Sequence, residues 1–490
     1  MKQHNSQRDY HRRMAQRRRR ELNKKLPFLL LGILLAGIIG CGIFIIIKQL
    51  NGQKQRMGSS ISSTSGVGES SSDSTSGESA DSTQNEETSA PISFEIMAGV
   101  SDLLEDAQFI AAGYDYDTAI DMLKNSEYYG RDERVDAAVA EYEQIKTTLK
   151  PYDLTKITHV FFHTLVIDES KAFDGDEDEK GYNQVMTTKD EFLKMLQIMY
   201  DKGFVLVRLH DIAHEVTGED GSVQLERGTI LLPEGKQAFI MSQDDVCYYD
   251  YMKGDGFATR MVIGDDGKPT CEMEMDDGTT SRGSYDLVPL LEDFIQEHPD
   301  FSYRGARAVI AFTGYQGILG YRTAASYSES PTYEQDRQTA AAVAQCLRDN
   351  GWELASHSWG HRDLGNIDFD KFTTDSNKWE NEVESLIGPT DIILFPFGAD
   401  VGDWHPYTHE NPRFDYLWNL GFRYFCNVDS SQYWIQIGKD FLRQGRRNLD
   451  GFRMWKDIEA GSDTSKRKLD DLFRSEDIFS PNRPTPVVWE

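Results

Sequence analysis

Cysteine is scarce in this sequence of 490 residues, and basic residues are scarce outside its first 25 positions. The five cysteines are Cys41, Cys247, Cys271, Cys346 and Cys426. Because no two of them lie at CxxC spacing, a thiolate zinc site is not expected. Cys247 could pair with Cys271, the cysteine nearest to it in sequence, or both could be buried free thiols. We assign Cys247 no catalytic role.

The charge of the chain is unevenly distributed. Residues 1–25 contain ten Lys and Arg against Asp9 and Glu21, a net charge of +8. The whole chain carries −29, so the other 465 residues carry −37 (−29 minus +8). A body this acidic is not expected to bind nucleic acid.

Residues 26–47, "LPFLLLGILLAGIIGCGIFIII", contain no charged side chain. About 20 apolar residues span a bilayer as a helix, and an arginine-rich flank stays in the cytoplasm. We therefore predict a basic cytoplasmic head (1–25), one transmembrane helix (26–47) and an extracellular remainder anchored in the cell membrane. The alternative is a lipoprotein signal with Cys41 as acceptor, although the apolar run continues six residues beyond it.

Two segments separate this span from the main body. Residues 48–91 are dominated by Ser, Gly, Thr and acidic residues without apolar periodicity, which predicts a disordered linker. Residues 92–150 place apolar residues at helical spacing and predict a small all-α unit. Within it, "AAGYDYDTAIDMLKN" (111–125) is similar to one tetratricopeptide-type helix turn. A single copy is weak evidence, so a packing or spacing role is favoured.

Residues 151–490 alternate strand-like and helical segments. The helix "TKDEFLKMLQIMYDKG" (188–203) opens with Thr188 and Glu191 as a capping box and stops at Gly203. The apolar runs are "ITHVFFHTL" (157–165), "FVLVRLHDI", "QAFIMSQ", "RAVIAFTG", "WELASH", "DIILFPFG" and "FRYFCNV". This alternation predicts a parallel α/β sheet or a barrel, with a hairpin inserted at 260–275.

Two short patterns raise the question of a metal. Asp244 and Asp245 follow the strand-like run "QAFIMSQ", where two adjacent negative charges would repel unless a cation lies between them. His357 and His361 follow "WELAS", and in a helical turn an i, i+4 pair can reach one ion. Each pattern alone also fits a cap, a turn or chance. Together, at the carboxyl ends of two strands, they predict a catalytic set of two histidines and one carboxylate.

These residues resemble the polysaccharide deacetylases with a NodB homology domain, carbohydrate esterase family 4, over about residues 155–450. The first motif of that family corresponds to "SQDDV" and the second to "HSWGH". The resemblance implies a distorted (β/α) barrel of about seven strands. It implies Asp245, His357 and His361 as ligands of one divalent metal, with Asp244 as the general base. Zinc is the first candidate, and Co, Ni or Fe also fit this donor set.

The chain departs from the family pattern in three places. The third motif is "LFPFG", which keeps Pro396 and Gly398 but has Leu394 or Phe395 where Arg is usual. Val246 stands where Gly is usual, and the fourth motif is only echoed by "VDSSQYW" with Asp429 and Trp434. The resemblance implies a substrate-binding wall made of Pro396, Phe397, Gly398 and Trp434.

The histidine that the family uses late in the chain as general acid is missing, since no histidine follows His409. A circularly permuted branch, similar to the exopolysaccharide poly-N-acetylglucosamine deacetylases, carries this histidine on its first strand. "HVFFHTL" resembles that strand and nominates His163 as the acid; the alternative is a buried structural His163.

The expected function is therefore that of a membrane-anchored extracellular hydrolase. It would use its metal to remove N-acetyl groups from a GlcNAc-containing cell-wall glycan or exopolysaccharide. One alternative is an O-acetyl esterase acting on polysaccharides. The other is a non-catalytic wall-binding protein on a decayed deacetylase fold, which the missing Arg and the altered Gly would favour.

Overall fold

The structure is a computed structural model that describes residues 94–219 and 221–489, with side chains from Gly99 onward. The described residues belong to one compact unit, Ala90–Glu490. The predicted basic head (1–25), transmembrane helix (26–47) and linker (48–91) lie outside the described residues. Within the described ranges, no helix combines the length and the apolar composition that crossing a membrane requires.

Helices and strands alternate through most of the described chain. The helices are α1 (Phe94–Ala112), α2 (Tyr116–Lys124), α3 (Glu133–Lys146), α4 (Glu169–Ala172), α5 (Glu179–Val185), α6 (Lys189–Asp201), α7 (Leu209–Ile212), α8 (Leu287–Glu297), α9 (Tyr333–Asp349), α10 (Phe369–Trp379), α11 (Ser385–Ile387), α12 (Pro412–Leu420), α13 (Gly451–Ala460) and α14 (Ser475–Ile478). The strands are β1 (Lys150–Pro151), β2 (Thr158–Phe162), β3 (Phe204–Leu206), β4 (Ala213–Thr217), β5 (Val223–Arg227), β6 (Leu231–Leu232), β7 (Gln237–Gln243), β8 (Arg260–Ile263), β9 (Pro269–Glu274), β10 (Thr280–Gly283), β11 (Val309–Phe312), β12 (Glu353–Ser356), β13 (Ile392–Leu394), β14 (Tyr424–Val428), β15 (Ile435–Ile437) and β16 (Leu442–Asn448).

Seven parallel strands close into a barrel. Their order around the ring is β11, β12, β13, β14, β16, β2 and β7, and β7 pairs back with β11 to complete it. The predicted barrel of about seven strands is therefore confirmed. The barrel is distorted because β3 pairs with the first half of β7, whereas β11 pairs only with Ser242 and Gln243 at its end.

The membership of the ring differs from the sequence expectation in one strand. The apolar run beginning at Phe204 was expected to be a barrel strand, but β3 lies outside the closed ring and the run continues into α7. The seventh strand is β16, "LRQGRRN", which was not predicted from the sequence because its three arginines make it look unlike an apolar strand. Arg443, Arg446 and Arg447 are nonetheless at most 2% exposed.

Side chains alternate between the inside and the outside of the barrel, as the period of two in a strand requires. The inner core contains Ala238, Ile240, Ala311, Leu394 and Cys426. The alternating residues face the helices and form the larger outer core. The predicted helix 188–203 forms as α6, and its Thr188–Glu191 capping box is confirmed.

The helical unit α1–α3 has a small core of its own, formed by residues such as Val100, Leu123 and Val139. It contacts the segment just before β11, where the Tyr114 hydroxyl donates to the backbone oxygen of Asp300 at 2.9 Å. This segment precedes a barrel strand, so α1–α3 lie at the amino-terminal end of the barrel. The predicted hairpin at 260–275 is a three-stranded antiparallel sheet, β8 to β10.

Candidate metal centre

The two adjacent aspartates leave β7 in different directions. Asp244 continues the inward alternation of Ile240 and Ser242, and it is 2% exposed. Asp245 has a φ of 58°, in the left-handed region that non-glycine residues rarely adopt. This turn brings its carboxylate to the carboxyl end of the barrel instead of into the outer core.

His357 and His361 follow β12 in a loop. The expectation of a helical turn was wrong, because the segment has no helical hydrogen bonds and both Ser358 and His361 have positive φ, 56° and 49°. The loop is held instead by Asp375 on α10, whose carboxylate accepts the backbone N–H of Trp359 at 2.8 Å and of Gly360 at 2.9 Å.

The predicted ligands converge at the carboxyl end of the barrel. His361 Nε2 lies 3.5 Å from Asp245 Oδ2, and His357 Nε2 lies 3.9 Å from the same oxygen. One donor atom from each of the three residues lies within 4.8 Å of the other two. The arrangement of the predicted triad is therefore present.

Neighbouring groups orient two of these donors. His357 Nδ1 lies 2.7 Å from the backbone oxygen of Leu394, so the proton is on Nδ1 and the Nε2 lone pair faces the triad. The Tyr249 hydroxyl donates to Asp245 Oδ1 at 2.8 Å and leaves Oδ2 to the histidines. Burial lowers the pKa of His361, which favours the neutral imidazole that a ligand needs. Two imidazole nitrogens and one carboxylate oxygen fit a divalent transition metal, zinc among them.

Asp244 is held by an arginine from a distant part of the chain. Arg446 Nη1 donates to Asp244 Oδ1 at 2.6 Å, and Asp244 Oδ2 lies 3.8 Å from His357 Nε2. Burial alone would raise the pKa of Asp244, but the charge of Arg446 lowers it below its usual value. Asp244 is therefore ionised at neutral pH, as a general base must be before it accepts a proton.

His163 is the first residue after β2 and is half-buried. Its Nδ1 lies 3.1 Å from the backbone oxygen of Val185, and its ring packs edge-on against Phe161. The backbone N–H of Asp244 donates to the oxygen of Phe162 at 2.8 Å, so His163, the next residue, lies beside the aspartate pair. Its role as acid stays a prediction.

The residues predicted to form one substrate-binding wall do not lie together in the structure. Phe397 has a φ of 58°, is 72% exposed, and its ring centroid lies 4.5 Å from that of His361. Gly398 has a φ of +67°, and a side chain there would collide with Val428. Trp434 lies instead beside the guanidinium of Arg443, on the outer face of β16. The binding role of these residues and of Pro396 stays a prediction.

Two departures from the family pattern have a packing explanation. Val246 is fully buried in the outer core, so its side chain does not enter the triad. Leu394 and Phe395, where Arg is usual, belong to the inner and the outer core respectively. The Asp429 carboxylate accepts the backbone N–H of Ser431 within its own loop.

The four described cysteines are free and buried. Of the alternatives left open by the sequence, free thiols therefore apply to Cys247 and Cys271. Cys271 lies 3.6 Å from the Tyr248 hydroxyl, and Cys41 lies outside the described residues.

Sequence reasoning missed three residues of this centre: Arg446, Asp375 and Tyr249. Arg446 lies on β16 and reaches the site only because the barrel closes. Asp375 lies on the helix that follows the histidine loop, 15 residues after Gly360, and no motif marks it. Tyr249 carried a local signal, because it lies four residues after Asp245.

No protein-family model matches the sequence, and no curated protein matches it at a significant level. Among solved structures, the chain is similar to the Streptococcus pyogenes deacetylase PplD in complex with acetate, at 12% identity and a TM-score of 0.32, over 61% of this chain and 93% of that one. It is also similar to a de-N-acetylase from Aggregatibacter actinomycetemcomitans, at 13% identity and a TM-score of 0.35, over 60% and 95% of the two chains. Identities and TM-scores this low carry no argument about activity.

Proposed function

We propose that this chain is a metal-dependent hydrolase that removes acetyl groups from amide nitrogen in a GlcNAc-containing polysaccharide. The observation that carries the proposal is the triad of Asp245, His357 and His361 beside Asp244, a buried carboxylate that Arg446 keeps ionised. Structural metal sites usually use four protein ligands, whereas three ligands beside a base are typical of hydrolytic centres.

The triad would hold one divalent cation, with zinc as the first candidate. When bound, such a cation acts as a Lewis acid that polarises a carbonyl group and lowers the pKa of water. Asp244 then accepts the proton of the attacking water, since it is ionised and its Oδ2 faces the triad. Arg446 occupies the other oxygen, so proton acceptance is directed to Oδ2.

His163 would donate a proton to the leaving nitrogen. Amide hydrolysis needs this step because an unprotonated amine is a poor leaving group. With Nδ1 against the backbone oxygen of Val185, Nε2 is the ring atom left for the substrate. The two later histidines of the domain are engaged elsewhere, since His405 pairs with Asp403 and His409 pairs with Asp415.

The polysaccharide part of the proposal is supported by the exposed ring of Phe397 beside His361. An exposed aromatic ring offers a flat apolar face on which a sugar ring can stack, with the acetyl group directed at the triad. The extracellular, membrane-anchored location is supported by the basic head and the uncharged residues 26–47. A cell-wall glycan or an exopolysaccharide would then be the accessible substrate.

Two alternatives keep the same fold. An O-acetyl esterase would use the same triad and base, but its alkoxide leaving group depends less on His163. A non-catalytic wall-binding protein would not need an ionised base, and the Asp244–Arg446 pair argues against it.

The test combines metal analysis with acetate release by the purified full-length chain. We expect about one zinc ion per chain and acetate from an N-acetylated glycan when amide- and ester-acetylated glycans are compared. His361→Ala should lose most of the metal and of the activity but keep the fold.

Full metal occupancy in His361→Ala would show that the ligand set is wrong. Acetate from ester-linked glycans alone would favour the esterase. No acetate from any glycan, with zinc restored, would favour the binding protein.

A further inference from the structure

The inner face of the barrel carries a continuous column of polar side chains that leads to Asp244. Arg446 Nη1 lies 2.6 Å from Asp244 Oδ1 and 3.3 Å from Ser242 Oγ. Ser242 Oγ lies 3.0 Å from His159 Nε2, and His159 Nδ1 lies 3.2 Å from Gln444 Oε1. All five side chains are at most 2% exposed, although an inner barrel core is normally filled by branched apolar residues.

The hydrogen bonds of this column have one consistent direction. Gln444 Nε2 donates to the backbone oxygen of Ile157 at 3.0 Å, so Oε1 is the atom that accepts from His159 Nδ1. With the proton on Nδ1, His159 Nε2 accepts from the Ser242 hydroxyl, whose oxygen accepts from Arg446. Burial lowers the pKa of His159 well below its usual value, in agreement with a neutral ring. Each member therefore fixes the orientation of the next.

Arg446 is also restrained by packing. Its guanidinium lies over the ring of Phe161, 4.5 Å from the centroid. Its Nε and Nη2 have no acceptor among the described residues, so its side-chain hydrogen bonds go to Asp244 and Ser242 alone. Buried ion pairs of this kind are weak contributors to stability, because desolvation offsets their attraction.

We propose that Arg446 is a positioning residue for the reaction, and that Ser242, His159 and Gln444 position Arg446 in turn. The column holds Asp244 Oδ1 so that Oδ2 is presented to the triad. This inference rests on the proposed function, in which Asp244 is the base. The proposal concerns the geometry of the Arg446–Asp244 pair. Equilibrium unfolding can therefore test whether the two side chains interact even if no activity is found.

Arg447 provides a matched control on the same strand. It is also 2% exposed and pairs with a carboxylate, that of Asp471, but it faces the outside of the barrel. A substitution there disturbs a buried arginine without touching the column. If kcat fell only because a buried guanidinium had been removed, substitution of Arg447 would lower kcat as much as substitution of Arg446.

The experiment uses the zinc-loaded full-length chain with Arg446→Met, Arg446→Lys and Arg447→Lys. We expect Arg446→Met to lower kcat about 10²-fold, the usual effect of a misplaced reacting group, with KM and zinc content unchanged. Arg446→Lys should recover part of kcat because it restores a cation. Arg447→Lys should lower the unfolding midpoint in urea and leave kcat within about twofold.

A second measurement tests whether Arg446 acts through Asp244. In an Asp244→Asn background, Arg446→Met should cause little further loss of kcat, because the group it positions is already absent. Equal losses in both backgrounds would overturn the proposal, as would wild-type kcat in Arg446→Met. If Arg446→Met does not fold, Ser242→Ala, which removes only the support of Arg446, should lower kcat several-fold at constant zinc content.

The proposed function can fail separately. If the wild type releases no acetate, the urea unfolding of Asp244→Asn, Arg446→Lys and the double variant still decides the pairing. If the midpoint shifts of the two single variants do not sum to that of the double variant, the two side chains interact, and the proposal that the column orients Asp244 stands. Additive midpoints would overturn it.

Discussion

Two of the three proposed ligands, Asp245 and His361, have positive φ, and so does Phe397 beside them. Left-handed backbone at a non-glycine residue costs about 1–3 kcal/mol and persists only where the surrounding structure enforces it. Hydrogen bonds from Tyr249 to Asp245 and from the loop backbone to Asp375 supply that enforcement. Of the eight non-glycine residues with positive φ in the described chain, four (Asp245, Ser358, His361 and Phe397) belong to the proposed metal centre or adjoin it.

The members of the proposed triad could be predicted from sequence because each pair is contiguous or nearly so, with the family resemblance choosing Asp245 over Asp244. Asp244 and Asp245 adjoin one strand, and His357 and His361 adjoin another. Arg446 could not be predicted, since its contact with Asp244 spans about 200 positions and depends on β16 lying beside β2. The backbone conformation at His361 also could not be predicted, because spacing alone suggested a helical turn.

His163 gives a prediction at the scale of a single side chain. His163→Ala should lower turnover of an N-acetylated glycan about 10²–10⁴-fold, the usual contribution of one acid–base group. An activated aryl acetate has a leaving group that needs no proton, so its hydrolysis should fall much less. Acetate release and aryl release are measured on the same preparation, with zinc content as a check.

His405→Ala is the matched histidine control, because that ring is exposed and pairs with Asp403. It should retain both activities. If His163→Ala instead loses amide and ester turnover equally, His163 is structural. The acid would then have to be sought at His409 or solvent, or at His405 if His405→Ala also loses amide turnover.

At the scale of elements, β16 is a barrel strand that the sequence pattern did not predict. A strand with three arginines looks exposed, yet each guanidinium has a buried or half-buried carboxylate partner: Asp400, Asp244 and Asp471 for Arg443, Arg446 and Arg447. These partners come from other parts of the chain, so periodicity alone could not identify the strand. The apolar strands β7, β12 and β14 were predicted because their burial depends on their own side chains.

The loop after β12 gives the prediction for this scale. Asp375 on α10 accepts two of its backbone N–H groups, and Asp375→Asn leaves only one oxygen to accept them. The loop should loosen and zinc affinity should fall about 10–100-fold, as for other partners that orient ligands. Competition with a chelator of known affinity measures the dissociation constant.

Asp370→Asn serves as the control for this change, since Asp370 lies on the same helix and is exposed. Its zinc affinity should match that of the wild type. An unchanged affinity in Asp375→Asn would mean that the loop holds its shape without this carboxylate.

At the scale of the whole molecule, the two ends of the barrel have different chemistry. The carboxyl end bears the triad, whereas the amino end bears a charged cluster around His210 and the contact with α1–α3. His210 Nε2 lies 3.0 Å from Asp391 Oδ2, and Nδ1 bonds Glu353. Since both ring nitrogens face carboxylates, the ring is positively charged in the folded protein.

This cluster predicts a stability that depends on pH and is separate from activity. Burial alone would lower the pKa of His210, but the charges of Glu353 and Asp391 raise it from 6.5 to about 11. A raised folded-state pKa stabilises the protein fully below about 6.5 and loses that effect as pH rises toward about 11. His210→Gln should therefore lower the urea midpoint most near pH 6 and progressively less toward pH 10, about the limits of the usable range. The side chain is 38% exposed, so solvent screening reduces the effect.

The control for this prediction is His214→Gln, because His214 lies four residues after His210 and is exposed. Its urea midpoint should show no such dependence on pH. Acetate release by folded His210→Gln at neutral pH should match the wild type, because the triad lies at the other end of the barrel. A pH-independent deficit would show that His210 acts by packing against Tyr424 instead of by charge.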